Sequence, residues 1–211
     1  MGPKRFKVRI AAFAVLLALI WSAGAAAHGA HDESAAKPAA QAAAAQPPAF
    51  PVDIGGPFAL VDHTGRAVSD ADFRGSHMLV FFGYANCPGI CPIGLRTMVE
   101  AVDLLGERSE QVVPLLISVD PANDTPANLA PAVAKIHPRL VGLTGTAAQL
   151  VAARAAYKVS AKLAGRSWQG VDLFEHGSFI YLMGPDGKFL TLFPPIMPPE
   201  AMAAAIRRYL G

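Results

Sequence analysis

Residues 78–92 read MLVFFGYANCPGICP, and their order decides the fold. Met78 to Gly83 is a continuous apolar run, the mark of a strand buried on both faces. The stretch after it, punctuated by proline and glycine, predicts a loop carrying Cys87 and Cys91. Beyond it, Leu95, Met98, Val99, Val102 and Leu105 recur at the spacing of one helix face, and Gly106 is placed to end that helix. A buried strand leading through a loop into a helix is the unit of an α/β fold. Open sheets of that class place their sites at the carboxyl end of the strands.

Upstream, Phe58–Val61 and Arg66–Val68 flank Asp62-His63-Thr64-Gly65 and predict a hairpin turning at Thr64-Gly65. Downstream, Val112–Val119 predicts a second buried strand. Thr125 caps a helix with Pro126 at its first position and Leu129, Val133 and Ile136 on its inner stripe. Leu140–Leu143 predicts a short strand. Thr146 and Gln149 form a capping box before a helix to about Tyr157. Phe179–Met183 and Lys188–Phe193 predict a hairpin around Gly184-Pro185-Asp186-Gly187, and Glu200–Leu210 a last helix. The order predicts α/β architecture with a mixed sheet covered by helices.

The chain has 211 residues, 53% hydrophobic and 16% charged, enough for one sizeable core and not a disordered composition. Its formal charge of +2 belongs to the amino-terminal end. Lys4, Arg5, Lys7 and Arg9 precede an apolar run, Ile10–Trp21, and small residues, Ser22–Ala27. Residues 1–27 therefore read as an export signal, either cleaved or kept as a membrane anchor. In both cases the positive flank stays inside and the rest is exported. Without that leader the chain is acidic, which excludes a nucleic-acid-binding domain. Residues 28–50, rich in alanine, proline and glutamine, read as a flexible tether, leaving residues 51–211 as the folded domain.

Cys87 and Cys91 are the only cysteines, which excludes a disulfide-stapled scaffold and points to chemistry. Pro92 suits a first helical turn, so Cys91 falls at the helix amino terminus. Unpaired N–H groups and the helix dipole there stabilise a thiolate, and the loop composition predicts exposure. The alternative is two thiols packed as small hydrophobes. Three intervening residues allow a disulfide, and they also let both sulfurs face one soft ion, Cu(I) or zinc. Two sulfurs leave such a site incomplete. Of the six histidines, His28 and His31 lie in the tether, while His63, His77 and His137 read as surface residues. His176, in a loop running into the Phe179 strand, is the candidate third ligand, a structural role being the alternative. Asp120 and Asp124 follow the second buried strand, where they suit a rim or partner contact. Helix capping equally explains Asp124-Thr125.

Taken as a set, FFGYANCPGICP, SVDPANDTP and EHGSFIYLMGPDGKF (residues 81–92, 118–126 and 175–189) resemble the SCO/SenC family of copper-binding cytochrome c oxidase assembly proteins. The resemblance covers about Pro51 to Gly211. It implies a thioredoxin-like fold with an additional hairpin, and copper, as Cu(I) or Cu(II), on Cys87, Cys91 and His176. It also implies maturation of the dinuclear copper site of the oxidase. The partners implied are the oxidase's copper-bearing subunit, a thiol reductase and other copper chaperones, on the periplasmic side of the inner membrane. Glu175-His176-Gly177 and Gly89 depart from the family's usual residues, and neither removes a ligand. Related thioredoxin-like proteins place a proline before the strand that His176 precedes, so the histidine favours metal binding over disulfide exchange.

Three readings follow: a copper metallochaperone, an exported thiol–disulfide oxidoreductase acting on an oxidase subunit, and a peroxidase. The last lacks a recognisable peroxidatic motif. Cleavage after Ala25 would also expose Ala26-Ala27-His28. Its amine, two backbone nitrogens and imidazole suit square-planar Cu(II), a second, weaker site near His31. A solvated tether with incidental histidines is the alternative.

Overall fold

The computed structural model describes residues 53–211. The expected leader and tether, with His28 and His31, lie outside the described residues. Within those described, no helix is long and apolar enough to cross a membrane.

Apart from an added pair of strands, Ala161–Arg166 and Asp172–His176, the elements follow the expected order with small shifts at their ends. They begin with β1 (Ala59–Asp62), β2 (Ala67–Ser69), β3 (His77–Gly83), α1 (Cys91–Asp103) and β4 (Val112–Ser118). α2 (Pro126–Ile136), β5 (Val141–Thr144) and α3 (Ala147–Ala156) come next. β6 (Ala161–Arg166), β7 (Asp172–His176), β8 (Ile180–Met183), β9 (Phe189–Phe193) and α4 (Pro199–Ile206) complete the chain. Thr125 and Thr146 cap α2 and α3 through their hydroxyls, and Gln149 completes the box at α3. Helix α1 ends at Asp103, before Gly106, which adopts a left-handed φ of 63° at the start of a short 3₁₀ turn.

Seven strands form one mixed sheet in the order β2-β1-β5-β4-β3-β8-β9. β3, buried at every position as its apolar run requires, is central. It pairs parallel with β4 and antiparallel with β8. The parallel register sets Gly83 opposite Ser118, so the loops after β3 and β4 leave the sheet side by side. The antiparallel register sets Phe81 opposite Ile180, which carries residues just before β8 to that same edge.

Two expectations are corrected. Val171–Ser178 is not a loop: β6 and β7 pair as a separate two-stranded sheet, with His176 the last residue of β7. The hairpin turns through Ser167–Gly170, where Gly170 has a φ of 79°. β6 is exposed at five of its six positions, so it has no apolar periodicity to betray it. Nor are His63, His77 and His137 simply surface residues. His77 is buried, desolvation holding its pKa below the usual imidazole value. His63 accepts the Gly142 N–H, and His137 lies 3.1 Å from the Asp103 carboxylate.

Gly83 has no room for a side chain. A Cβ there would lie 2.8 Å from Phe81 Cε1 and 3.1 Å from Cys91 Sγ. Gly83→Ala is expected to destabilise the reduced protein by about 1–3 kcal/mol through overpacking. Urea unfolding measures this, and an unchanged midpoint would show that the neighbours yield freely.

Candidate metal centre

The site is built at the carboxyl end of β3, where the loop after that strand, the start of α1 and the end of β7 meet. Cys87 lies in the loop after that strand, half-buried, and Cys91 is the first residue of α1. His176 arrives from β7, and its Nε2 is 3.5 Å from Cys91 Sγ. His176 Nδ1 is 3.0 Å from the Gly177 carbonyl oxygen. A carbonyl only accepts, so this contact selects the tautomer with its proton on Nδ1 and directs the Nε2 lone pair to the sulfurs. The two sulfurs and an imidazole nitrogen all lie within 4.8 Å of one another.

The sulfurs are not equivalent. The Cys91 thiol is pushed up because it gives a hydrogen bond to the Cys87 sulfur and is desolvated. The Cys87 thiol is held well below the ordinary thiol range chiefly by that bond, with the Cys91 and Gly89 N–H groups acting in the same direction and burial opposing them. The expectation of an exposed Cys91 thiolate at the helix terminus is therefore corrected. Cys91 is 1% exposed, and the helix-terminal N–H stabilises its neighbour's charge.

Aromatic rings wall the site. Phe81 and Tyr84 both meet the His176 ring edge to face, with centroids 6.3 and 6.1 Å away. Tyr84 also packs on Phe174 at 5.2 Å and accepts the Phe174 N–H at its hydroxyl, 3.4 Å away. Burial, chiefly, raises the Tyr84 phenol to about 12. Cys87, Pro88, Ile90, Phe174 and His176 line an open depression.

Asp120 and Asp124 are not rim groups. They are 3% and 1% exposed. Asp124 accepts the Ser118 hydroxyl at 2.6 Å and the Ala85 N–H at 3.2 and 3.3 Å, while Thr125 alone caps α2. Sequence reasoning missed Phe81 and Tyr84 as walls and Asp124 as a support. The buried run before the cysteines hinted at Phe81, but nothing local indicated Tyr84 or Asp124.

A three-coordinate ion with bonds of about 2.0–2.3 Å holds its donors about 3.5–4 Å apart. The donor set needs only a small contraction to meet that geometry. Thiolate and imidazole together suit copper or zinc rather than hard cations.

Comparison with known proteins finds similar chains, one of them solved with copper bound. The SCO1/SenC family model matches residues 46–211. Protein SenC of Rhodobacter capsulatus is 40% identical over 157 residues, covering 74% of this chain and 71% of its own. The human protein SCO1 homolog, mitochondrial, is 35% identical over 159 residues, covering 74% of this chain. The chain spans 53% of that human relative's length. The copper-bound structure of Bradyrhizobium japonicum ScoI is 38% identical with a TM-score of 0.68, covering 74% of this chain and 99% of that one. The thioredoxin-like α/β reading is met.

Burial pushes the Asp124 carboxyl up to about 6, from 3.8, and the nearby Asp120 acts in the same direction against the Ser118 and Ala85 hydrogen bonds. A carboxyl whose folded pKa exceeds its unfolded value makes the folded state bind more protons between those values. Stability therefore falls as pH rises from about 4 to 6. In the reduced, metal-free protein this contribution is expected to reach at most about 3 kcal/mol and to vanish in Asp124→Asn. Urea unfolding across that range tests it; identical pH slopes in the two proteins would count against it.

Proposed function

This chain belongs to the SCO1/SenC family, and from that premise we propose that it is a copper metallochaperone. Copper, as cargo, is held by Cys87, Cys91 and His176 and passed on for maturation of the dinuclear copper site of cytochrome c oxidase. The observation that carries this reading is the convergence of two sulfurs and an imidazole within 4.8 Å, from residues 85 apart in sequence. The His176 tautomer turns a lone pair toward the sulfurs, and the Cys87 thiol is already disposed to ionise. Binding both sulfurs as thiolates releases the Cys91 proton, so capture is coupled to proton loss. The open depression lets an acceptor's ligands approach from the Cys87 side and exchange one donor at a time.

The leader places the domain outside the inner membrane, anchored or released. That compartment oxidises dithiols while copper capture needs them reduced, so a thiol reductase is a required partner. The oxidase's copper-bearing subunit is the acceptor, and other copper chaperones are further partners.

The asymmetry of the sulfurs favours a second reading. A partly exposed low-pKa Cys87 beside a buried Cys91 is also the layout of a thiol–disulfide exchange pair. The two readings part on His176, which disulfide exchange does not use.

Reduced protein is expected to bind one copper per chain, measured by competition with a chromophoric Cu(I) chelator. Cys87→Ser and Cys91→Ser are each expected to lose more than about 100-fold in affinity, and His176→Ala about 10- to 100-fold with the fold intact by circular dichroism. Stoichiometric copper in the double serine variant would sink the assignment.

The metallochaperone reading also expects slow turnover in reduction of insulin disulfides, with His176→Ala no slower than the unmodified chain. Rapid turnover would place the exchange reading first.

A further inference from the structure

Asp124 is a buried carboxylate that copper binding does not employ and helix capping does not need. Its surroundings connect the two pieces of chain that carry the donors. Ser118 ends β4 opposite Gly83, and the Val119 N–H donates to the Gly83 carbonyl at 2.8 Å. The Ser118 hydroxyl donates to Asp124 Oδ2, and the Asp120 N–H donates to Ser118 Oγ at 3.0 Å. The carboxylate then takes the Ala85 N–H, two residues before Cys87. From the same segment, Asn123 Nδ2 donates to Asp120 Oδ2 at 2.8 Å and to Asp172 Oδ2 at 3.3 Å. Asp172 opens β7, four residues before His176, and pairs with Arg166 at 2.7 Å on the facing strand.

We propose that the Ser118–Asp124 segment is the strut that sets the spacing of the dithiol from His176, with Asp124 as its positioning residue on the cysteine side and Asn123 on the histidine side. The copper part of this inference rests on the metallochaperone reading; the dithiol part does not. Two carboxylate oxygens let one short side chain face a hydroxyl and a backbone N–H together. Alanine there takes the acceptor from the buried Ser118 hydroxyl and the half-buried Ala85 N–H, and the cysteine loop shifts to find water. An asparagine retains one oxygen for the Ala85 N–H and can reverse the bond to Ser118, so it keeps position and discards charge. Donors that must converge to about 4 Å around an ion respond steeply to such a shift.

The test uses the full chain, reduced, at pH 7.5, with Cu(I) and a competing chelator. Asp124→Ala is expected to weaken binding about tenfold or more, and Asp124→Asn to recover to within about threefold. The exposed Asn123→Ala is expected to lose about three- to tenfold alone and nothing further in a His176→Ala background, a coupling that general destabilisation would not produce. Without copper, the Cys87–Cys91 dithiol is titrated against glutathione. Two electrons and two protons pass to glutathione disulfide, giving two glutathione thiols and the protein disulfide. Asp124→Ala is expected to shift that equilibrium severalfold. Wild-type copper affinity and glutathione equilibrium in both alanine variants would overturn the proposal. So would an Asn123→Ala loss of equal size with and without His176. If Asp124→Ala does not fold, the Asn123 cycle decides the matter. A glutathione shift in a chain that binds no copper would refute the metallochaperone reading and support the strut.

Discussion

The antiparallel seam between β3 and β8 is the constraint on which the site depends. Phe81 faces Ile180 across it, so the chain leaving β3 and the chain entering β8 share one edge of the sheet. Cys91 and His176 meet there although 85 residues separate them. A slip of one residue would turn each strand's side chains to the opposite face, and β3 and β8, buried along their whole lengths, hold the register firmly. The parallel seam with β4 adds the third loop, which brings Asp124 under the cysteines.

That geometry also divides labour between the sulfurs. Cys91 packs beside Gly83 and Phe81, where desolvation keeps its proton. Cys87 stands at the mouth of the depression and collects the available hydrogen bonds. A pair so divided exchanges disulfides or takes up a soft cation, and the sulfurs alone do not choose. The choice lies with the imidazole, whose orientation is set by the Gly177 carbonyl and the rings of Phe81 and Tyr84. Burying a carboxylate beneath this assembly costs stability. Burial is the chief cause of its upward-shifted pKa, and in its place the carboxylate holds the Ala85 N–H.

Much was legible in the residues alone, wherever a local pattern carries the physics. The apolar run Met78–Gly83 determined a central strand, the stripe from Leu95 to Leu105 a helix, and Thr125 and Thr146 two helix starts. Each depends on neighbours within a turn or a strand length. The cysteine spacing and the lone late histidine marked the candidate donors before any contact was known. Tertiary structure decided the remainder, because it depends on solvent exclusion and on partners far along the chain. The β6–β7 hairpin buries too little to leave an apolar period, so His176 has the local signature of a loop although it stands at a strand end. Which sulfur ionises turned on the burial of Cys91, which a loop rich in proline and glycine disguises. Asp120 and Asp124 read as surface acids and are interior ones. A carboxylate's sequence neighbours do not reveal whether water or a backbone N–H 39 residues away will satisfy it.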